Sequence, residues 1–339
     1  MKVVTFGEIL LKFSPRNNQR FLQATAMDVE YSGAEANVAV SLAHFGMDTT
    51  FVSKLPGNEL GEAALCVLRQ HGVDISRVAR GGERIGIYFA EKGASQRPSK
   101  VIYDRKNSAI ACATTADFDW NAIFEDADWF HFTGITPALS DSLAVVCLEA
   151  CKAASAKGMT ISCDLNFRKK LWSCEKAKSV MTELCRFVDV CIANEEDAAD
   201  VFGIKADNSD AGKGELDGAS YVSVARQLQE RFRFKKVAIT LRESISASDN
   251  NWSAILYDGG KTYCSRKYAI HVVERIGSGD SFCAGLIYGL HHYGDSQRAL
   301  EFAVAASCLK QTMEGDFNLA SVAEVENLLN GDVSGRIKR

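Results

Sequence analysis

Short apolar runs rich in Val, Ile and Phe alternate along this chain with longer stretches of helical period, and that alternation constrains the fold more than any other feature. Strands and helices repeated in this order build an α/β protein around a mostly parallel sheet. Strands are expected at 2–7, 50–54, 128–133, 159–164, 188–193 and 236–241. Helices are expected at 36–45, 59–71, 141–157, 174–186, 195–202 and 221–232, the first two closing at Gly46 and Gly72 as helices commonly do. Beyond 241 the pattern gives strands near 253–257 and 261–264, then helices near 281–293, 296–312 and 321–330.

Two segments interrupt this rhythm, 12–32 and 84–105, where residues such as Ile85-Gly86-Ile87-Tyr88-Phe89-Ala90 alternate at period two without an intervening helix. They read as a small β-sheet projecting from the main one as a lid. The polar stretch 205–220 reads as a flexible insertion. Without repeats or a separating linker, residues 1–339 are expected to form a single α/β domain carrying that lid.

Composition narrows the partners. Hydrophobic residues make up 47% of 339, enough for a full core. A net charge of −4 and a pI near 5.9 supply no basic field for nucleic acid. No apolar run approaches the ~20 residues that would cross a bilayer, and the short run at the N-terminus lacks the form of a signal peptide. Eleven cysteines, an odd number without any C-x-x-C pair, read as reduced thiols. The expectation is a cytoplasmic protein with neither nucleic acid nor membrane as partner.

The most informative segment is Val272-Val273-Glu274-Arg275-Ile276-Gly277-Ser278-Gly279-Asp280-Ser281-Phe282, read as a strand, a two-glycine loop and an apolar helix. Glycines let backbone N–H groups approach an anion, and the following helix aims its unpaired amides and dipole at the same point. Gly277, Ser278 and Gly279 would thus form an anion hole for a transferring phosphoryl group. Asp280, in the first helical turn, is either an ordinary cap carboxylate or a general base. An oriented weak base suffices for phosphoryl transfer, because the attacking hydroxyl becomes acidic only as the O–P bond forms. A dinucleotide fingerprint is excluded, since Phe282 occupies the third glycine position. No Walker A loop occurs either.

With Ser32-Gly33-Ala34-Glu35-Ala36-Asn37 early and Glu274-Arg275-Ile276-Gly277-Ser278-Gly279-Asp280 late, the chain resembles the PfkB, or ribokinase-like, carbohydrate kinases. Their signatures are G-G-x-x-x-N and D-T-x-G-A-G-D. Ser32 replaces a glycine, Glu274 an aspartate and Ser278 an alanine, while the spacing and Gly-x-Gly-Asp are kept. The resemblance spans nearly the whole chain and implies a ribokinase-like fold, ATP and Mg2+. Within the family, Gly86-Ile87-Tyr88-Phe89, Tyr103-Asp104-Arg105, Asp164-Leu165-Asn166-Phe167-Arg168 and Gly315-Asp316-Phe317-Asn318 are similar to the kinases of 2-keto-3-deoxygluconate.

What the resemblance implies can be placed residue by residue. Gly33, Asn37, Tyr88, Tyr103, Arg105 and Arg168 would hold a sugar acid, with Asp280 as base. Asn166, Asn194, Thr240, Gly277, Gly279 and Asn318 would approach the nucleotide, the adenine lying near Ala305, Ser307 and Asn318. The family's N-x-x-E motif stands here as Asn194-Glu195-Glu196-Asp197, so Glu196 and Asp197 would serve magnesium through water. Arg242 stands where relatives carry glycine, which changes the local loop while leaving a phosphate contact open. Relatives often associate through their lids, implying a homo-oligomer.

Physical chemistry supports an acid substrate independently. A buried carboxylate needs cations or several donors, and an Arg fork grips one with two hydrogen bonds. Ordinary readings stay open beside these: either Arg as a surface ion pair, the tyrosines as lid packing, Asn37 as a helix cap, Asn166 as a turn residue, and Glu195 and Glu196 as dipole partners. The alternative that stands is a kinase of a neutral sugar such as fructose or ribose; a sugar-binding regulator on the same scaffold is disfavoured by the retained Asp280 and both glycines, and a nicotinamide-dependent oxidoreductase by the missing fingerprint.

Overall fold

The computed structural model of the chain describes residues 1–194, 196–205 and 218–331. Glu195 and most of the insertion expected over 205–220 therefore lie outside the described residues. Among those described, the main sheet has nine strands, and a run of six is parallel: Lys236–Ser244, Val190–Asn194, Thr160–Asp164, Trp129–Thr133, Lys2–Phe6 and Asp48–Val52. Asp249–Asp258 extends this run antiparallel and itself pairs with Lys261–Cys264 and Tyr268–His271.

Strand side chains point alternately to the two faces, so each buried strand must serve two cores. In Trp129–Thr133, Phe130 and Phe132 pack on one side while Trp129 packs on the other. In Val190–Asn194, Cys191 and Ala193 face the first core, Val190 and Ile192 the second. The Asp141–Ala156, Cys174–Leu184 and Gly218–Phe232 helices cover the first face. The Ala34–His44, Ser278–His292 and Ser296–Lys310 helices cover the second. The α/β expectation holds.

The two interrupting segments form a separate four-stranded sheet in the order Met27–Ser32, Leu10–Pro15, Gly86–Glu91 and Lys100–Asp104. Its register sets Glu30, Lys12, Tyr88 and Tyr103 in one row across the sheet, as successive cross-strand partners. Leu11, Phe13, Ile87 and Phe89 occupy the alternate positions, with the Phe13 and Phe89 rings stacked at 5.4 Å. Period two thus gives this sheet one polar face and one apolar face.

One expectation needs correction. Val272 and Val273 are not a strand leading into the glycine turn; the strand is Tyr268–His271 and stops before them. Their amides leave the sheet, Val272 N–H donating to Ser248 O at 2.7 Å and Val273 N–H to Gln311 O at 2.8 Å. The helix expected from 281 begins at Ser278, so Gly279 and Asp280 belong to its first turn.

Candidate active site

The glycine turn is built for its place. Gly277 takes φ +84°, and a Cβ there would stand 2.0 Å from the backbone oxygen of Asp316, so a side chain is barred by both dihedral and space. As N-cap residue it offers no side chain to the first-turn amides. Ser278 N–H donates to Arg275 O at 3.3 Å and Ser281 N–H to Gly277 O at 2.9 Å. The amides of Gly279 and Asp280 are the first-turn donors that helix geometry leaves for a ligand. Ser278 and the two glycines line a cleft of about 960 Å³ between the small sheet and the ends of the parallel strands. Beside the turn, Arg242 donates to Ser278 Oγ at 3.1 Å and lies over the Trp252 ring.

Asp280 lines the same cleft and is nearly buried. Burial pushes its carboxyl up to about 7, against the pull of a hydrogen bond from Asn37 and the charge of Arg168, while Glu35 and Asp316 add to the rise. Asn37 Nδ2 donates to Asp280 Oδ2, and Asn37 Oδ1 accepts from Gly33 N–H at 3.3 Å. Gly33 starts the Ala34–His44 helix where a Cβ would be 1.8 Å from Glu8 O, so the chain can pass Glu8 only as glycine. Glu35 is fully buried, and its Oε1 accepts from Thr133 N–H, Thr133 Oγ1 and Thr136 Oγ1 at 3.0, 2.7 and 2.7 Å.

The polar row of the small sheet faces this point. Lys12, almost wholly buried, places Nζ 2.6 Å from Asp316 Oδ1 and 2.8 Å from Glu30 Oε2. Burial alone would pull its ammonium down, but Asp316, Glu274 and Glu30 hold it above the ordinary lysine value. Asp316 Oδ2 accepts from Ser32 Oγ at 2.5 Å and from the Tyr88 hydroxyl. Tyr103 stacks on Tyr88 at 5.6 Å and lies 4.1 Å beneath the Arg105 guanidinium. Arg105 Nη1 donates to the buried Glu8 at 3.1 Å, while its Nε is buried without a partner.

Arg168 is placed differently from Arg105. It lines the cleft and is exposed, its backbone oxygen accepts from Leu171 N–H at 2.8 Å, and its guanidinium makes neither a hydrogen bond nor an ion pair among the described residues. Asn166 lines the cleft with φ +37°, a left-handed conformation that Asn tolerates better than most side chains. Asn194 and Thr240 line it as well, Thr240 Oγ1 donating to Ala193 O at 3.4 Å. Asn318 does not line it; its Oδ1 accepts from Ala320 N–H at 3.0 Å in the buried turn. Ala305 and Ser307 are buried in the Ser296–Lys310 helix, Ser307 Oγ donating to Ser278 O at 2.7 Å.

For magnesium the donor chemistry fits only one mode of binding. Asp197 is buried and both its oxygens accept backbone amides, from Phe167 and Asn194, each at 3.0 Å. It clasps the two strand ends together, while Glu196 is exposed and off the cleft. Burial pushes Asp164 well up, and the charges of Asp197 and Asp280 add to that. No group of three His, Cys, Asp or Glu among the described residues could cage a metal. Hard carboxylate oxygens without a cage suit an ion that arrives with phosphates and keeps its waters.

Sequence reasoning passed over Lys12, Glu30 and Lys310 and gave Asp316 no role. Lys310 is fully buried beneath the glycine turn, its Nζ donating to Glu274 O at 3.1 Å, and burial pulls it down to about 8. A charged residue at 12, between apolar Leu11 and Phe13, was the available signal: period two puts it on the face opposite theirs.

Residues 1–320 match the model of the pfkB family carbohydrate kinases. A 2-dehydro-3-deoxygalactonokinase from Haloferax volcanii is 34% identical over 334 residues, covering 98% of each chain. A 2-dehydro-3-deoxygluconokinase from Bacillus subtilis is 28% identical over 322 residues, 94% of this chain and 92% of its own. The crystal structure of 2-dehydro-3-deoxygluconokinase from Thermotoga maritima superposes with a TM-score of 0.94 at 51% identity, covering 98% of both chains.

Proposed function

Since the chain belongs to the pfkB family of carbohydrate kinases, we propose that it transfers the γ-phosphoryl of ATP to the primary hydroxyl of 2-keto-3-deoxy-D-gluconate, giving the 6-phosphate. The observation that carries this reading is the meeting, in one cleft, of Asp280, the Gly277–Gly279 turn and the unpaired Arg168. Asp280 accepts the proton of the sugar hydroxyl as its oxygen bonds to the γ-phosphorus, and the bond from that phosphorus to the bridging oxygen of ADP breaks in line. A carboxyl held near neutrality matches a general base working at physiological pH. The amides of Gly279 and Asp280 meet the charge spread over the equatorial oxygens, with Arg242 beside them.

Arg168 takes the sugar's carboxylate, because Arg105 is already paired with Glu8 and contributes chiefly through Tyr103. Asn166, Asn194 and Thr240 lie toward the nucleotide. Asp164 and Asp197 serve magnesium through water, and the ion, when bound, neutralises charge on the β- and γ-phosphates. The small sheet acts as a lid that excludes water, so that hydroxyl rather than water attacks. Val29 and Ile102, exposed on its strands, support association of two copies there; a monomeric wild type in sedimentation would end that reading. Cysteines that are all free, seven of them buried, support a reducing cytoplasm, to be checked by thiol titration of protein taken from cells.

The test of substrate is ADP release over a panel of sugars and sugar acids, with the gluco and galacto epimers of the 3-deoxy acid side by side. Turnover on 2-keto-3-deoxygluconate far above that on fructose or ribose is the expected result. A preference for neutral ketoses would overturn it.

A further inference from the structure

Behind the cleft wall lies a buried carboxylate for which the reaction has no direct use. Asp316 is set back from the cleft surface, which is formed here by Ser32 and Tyr88. We propose that Asp316 is a positioning residue that fixes the hydrogen-bond polarity of this wall. It turns the hydroxyls of Ser32 and Tyr88 into acceptors and so selects a sugar that presents a hydroxyl, rather than a keto or carboxylate oxygen, at that point.

The argument is a count of protons. A serine or tyrosine hydroxyl has one proton to give, and an ionised carboxylate can only accept. Asp316 stays ionised: burial would push its carboxyl up, but Lys12, Ser32 and Tyr88 hold it below the ordinary value. Both hydroxyls reach the same Oδ2, Ser32 at 2.5 Å, so both protons are directed at Asp316. The two hydroxyl oxygens are 2.9 Å apart and have only lone pairs left for anything else. Whatever meets them from the cleft must bring its own proton.

The arrangement is fixed from two sides. Register places Lys12 between Glu30 and Tyr88, so the ammonium that keeps Asp316 charged moves with the sheet that carries Tyr88. The backbone oxygen of Asp316 fills the space that a Cβ on Gly277 would need, so the same residue abuts the glycine turn. Ser32 stands where the G-G-x-x-x-N pattern has its first glycine, so the second hydroxyl is a departure from that pattern.

This inference rests on the proposed kinase reading for the sugar, but its test separates the two. KM and kcat are measured for 2-keto-3-deoxygluconate and for analogues that lack the hydroxyl at C4 or at C5. In the wild type, removal of one of these should raise KM about tenfold with a smaller effect on kcat, the equivalent of one hydrogen bond. In Tyr88→Phe, which has no acceptor, and in Asp316→Asn, which can donate to Tyr88 and free its proton, the same removal should change KM by less than about twofold. A purely structural Asp316 would weaken all substrates in parallel and leave the ratio as it was, which would overturn the proposal. Should Asp316→Asn not fold, the wild type decides with analogues carrying fluorine at C4 or C5, which accept but cannot donate: binding as weak as the deoxy form is expected, and binding as tight as the parent sugar would overturn the proposal. If a neutral sugar proves the better substrate, the substrate reading falls. The same comparison on singly deoxygenated forms of that sugar then decides this one.

Discussion

Asn37 Nδ2 donates to Asp280 Oδ2 at 2.7 Å, joining the first turns of two buried helices 243 positions apart in the chain. The bond steadies the ionised carboxylate where burial opposes ionisation, and the balance places it at about 7. A profile of kcat/KM against pH should therefore rise through one break near 7. Asn37→Ala removes a contact that lowers the value, so its break should move to higher pH. An unmoved break would show that another group sets the profile.

Replacing Asp280 with Asn keeps an acceptor for Asn37 but removes the base. Turnover should fall by at least ~10²-fold, the usual contribution of a positioned general base. ATP binding, read by calorimetry, should be near normal. Near-normal turnover would leave the hydroxyl proton going elsewhere.

The same substitution should change stability in a pH-dependent way. Below the ordinary carboxylate value of 3.8 the aspartate is protonated in folded and unfolded chains alike, and the stability tied to its raised value is fully present. Between 3.8 and about 7 the unfolded chain has released a proton that the fold still holds, so that stability is lost as pH rises. Asp280→Asn escapes the loss. Relative to wild type it should gain roughly 2–4 kcal/mol in urea unfolding between pH 4 and pH 8. An equal difference at both pH values would mean that the buried carboxyl does not titrate as described.

How much of this was legible in the sequence follows from the range of each signal. Strands such as Trp129–Thr133 and helices such as Asp141–Ala156 are local patterns, and period and length located them to within a residue or two. The glycine turn was legible because Gly277 and Gly279 carry backbone demands that few other residues meet. The ion cluster was not. Lys12 and Asp316 are 304 positions apart, and nothing local to either foretells the partner that lets a lysine be buried. The amide contacts of Asp197 were hidden for a related reason: an acidic residue at a helix start looks alike whether it faces solvent, metal or the amides of Phe167 and Asn194.

Arg168 offers the sharpest test of substrate class. Three other cations of the cleft wall are engaged, Lys12 by Asp316 and Glu30, Arg105 by Glu8, and Arg275 by Ser246 O, while Lys170, on the same strand-end loop as Arg168, has no side-chain hydrogen bond or ion pair among the described residues. The Arg168 guanidinium likewise has no hydrogen bond or ion pair among the described residues, and its charge acts on the carboxyls of Asp164 and Asp280. A carboxylate of the substrate would complete it with a charge-assisted bond of about 1.5–3 kcal/mol, which is roughly 10–150-fold in affinity. Arg168→Leu should raise KM for the sugar acid by that order and leave KM for ATP nearly unchanged. On a neutral sugar such as ribose, any residual turnover should be indifferent to the change, because that substrate has no charge for the guanidinium to meet. Equal losses on acid and neutral sugars would assign Arg168 to the shape of the strand end instead.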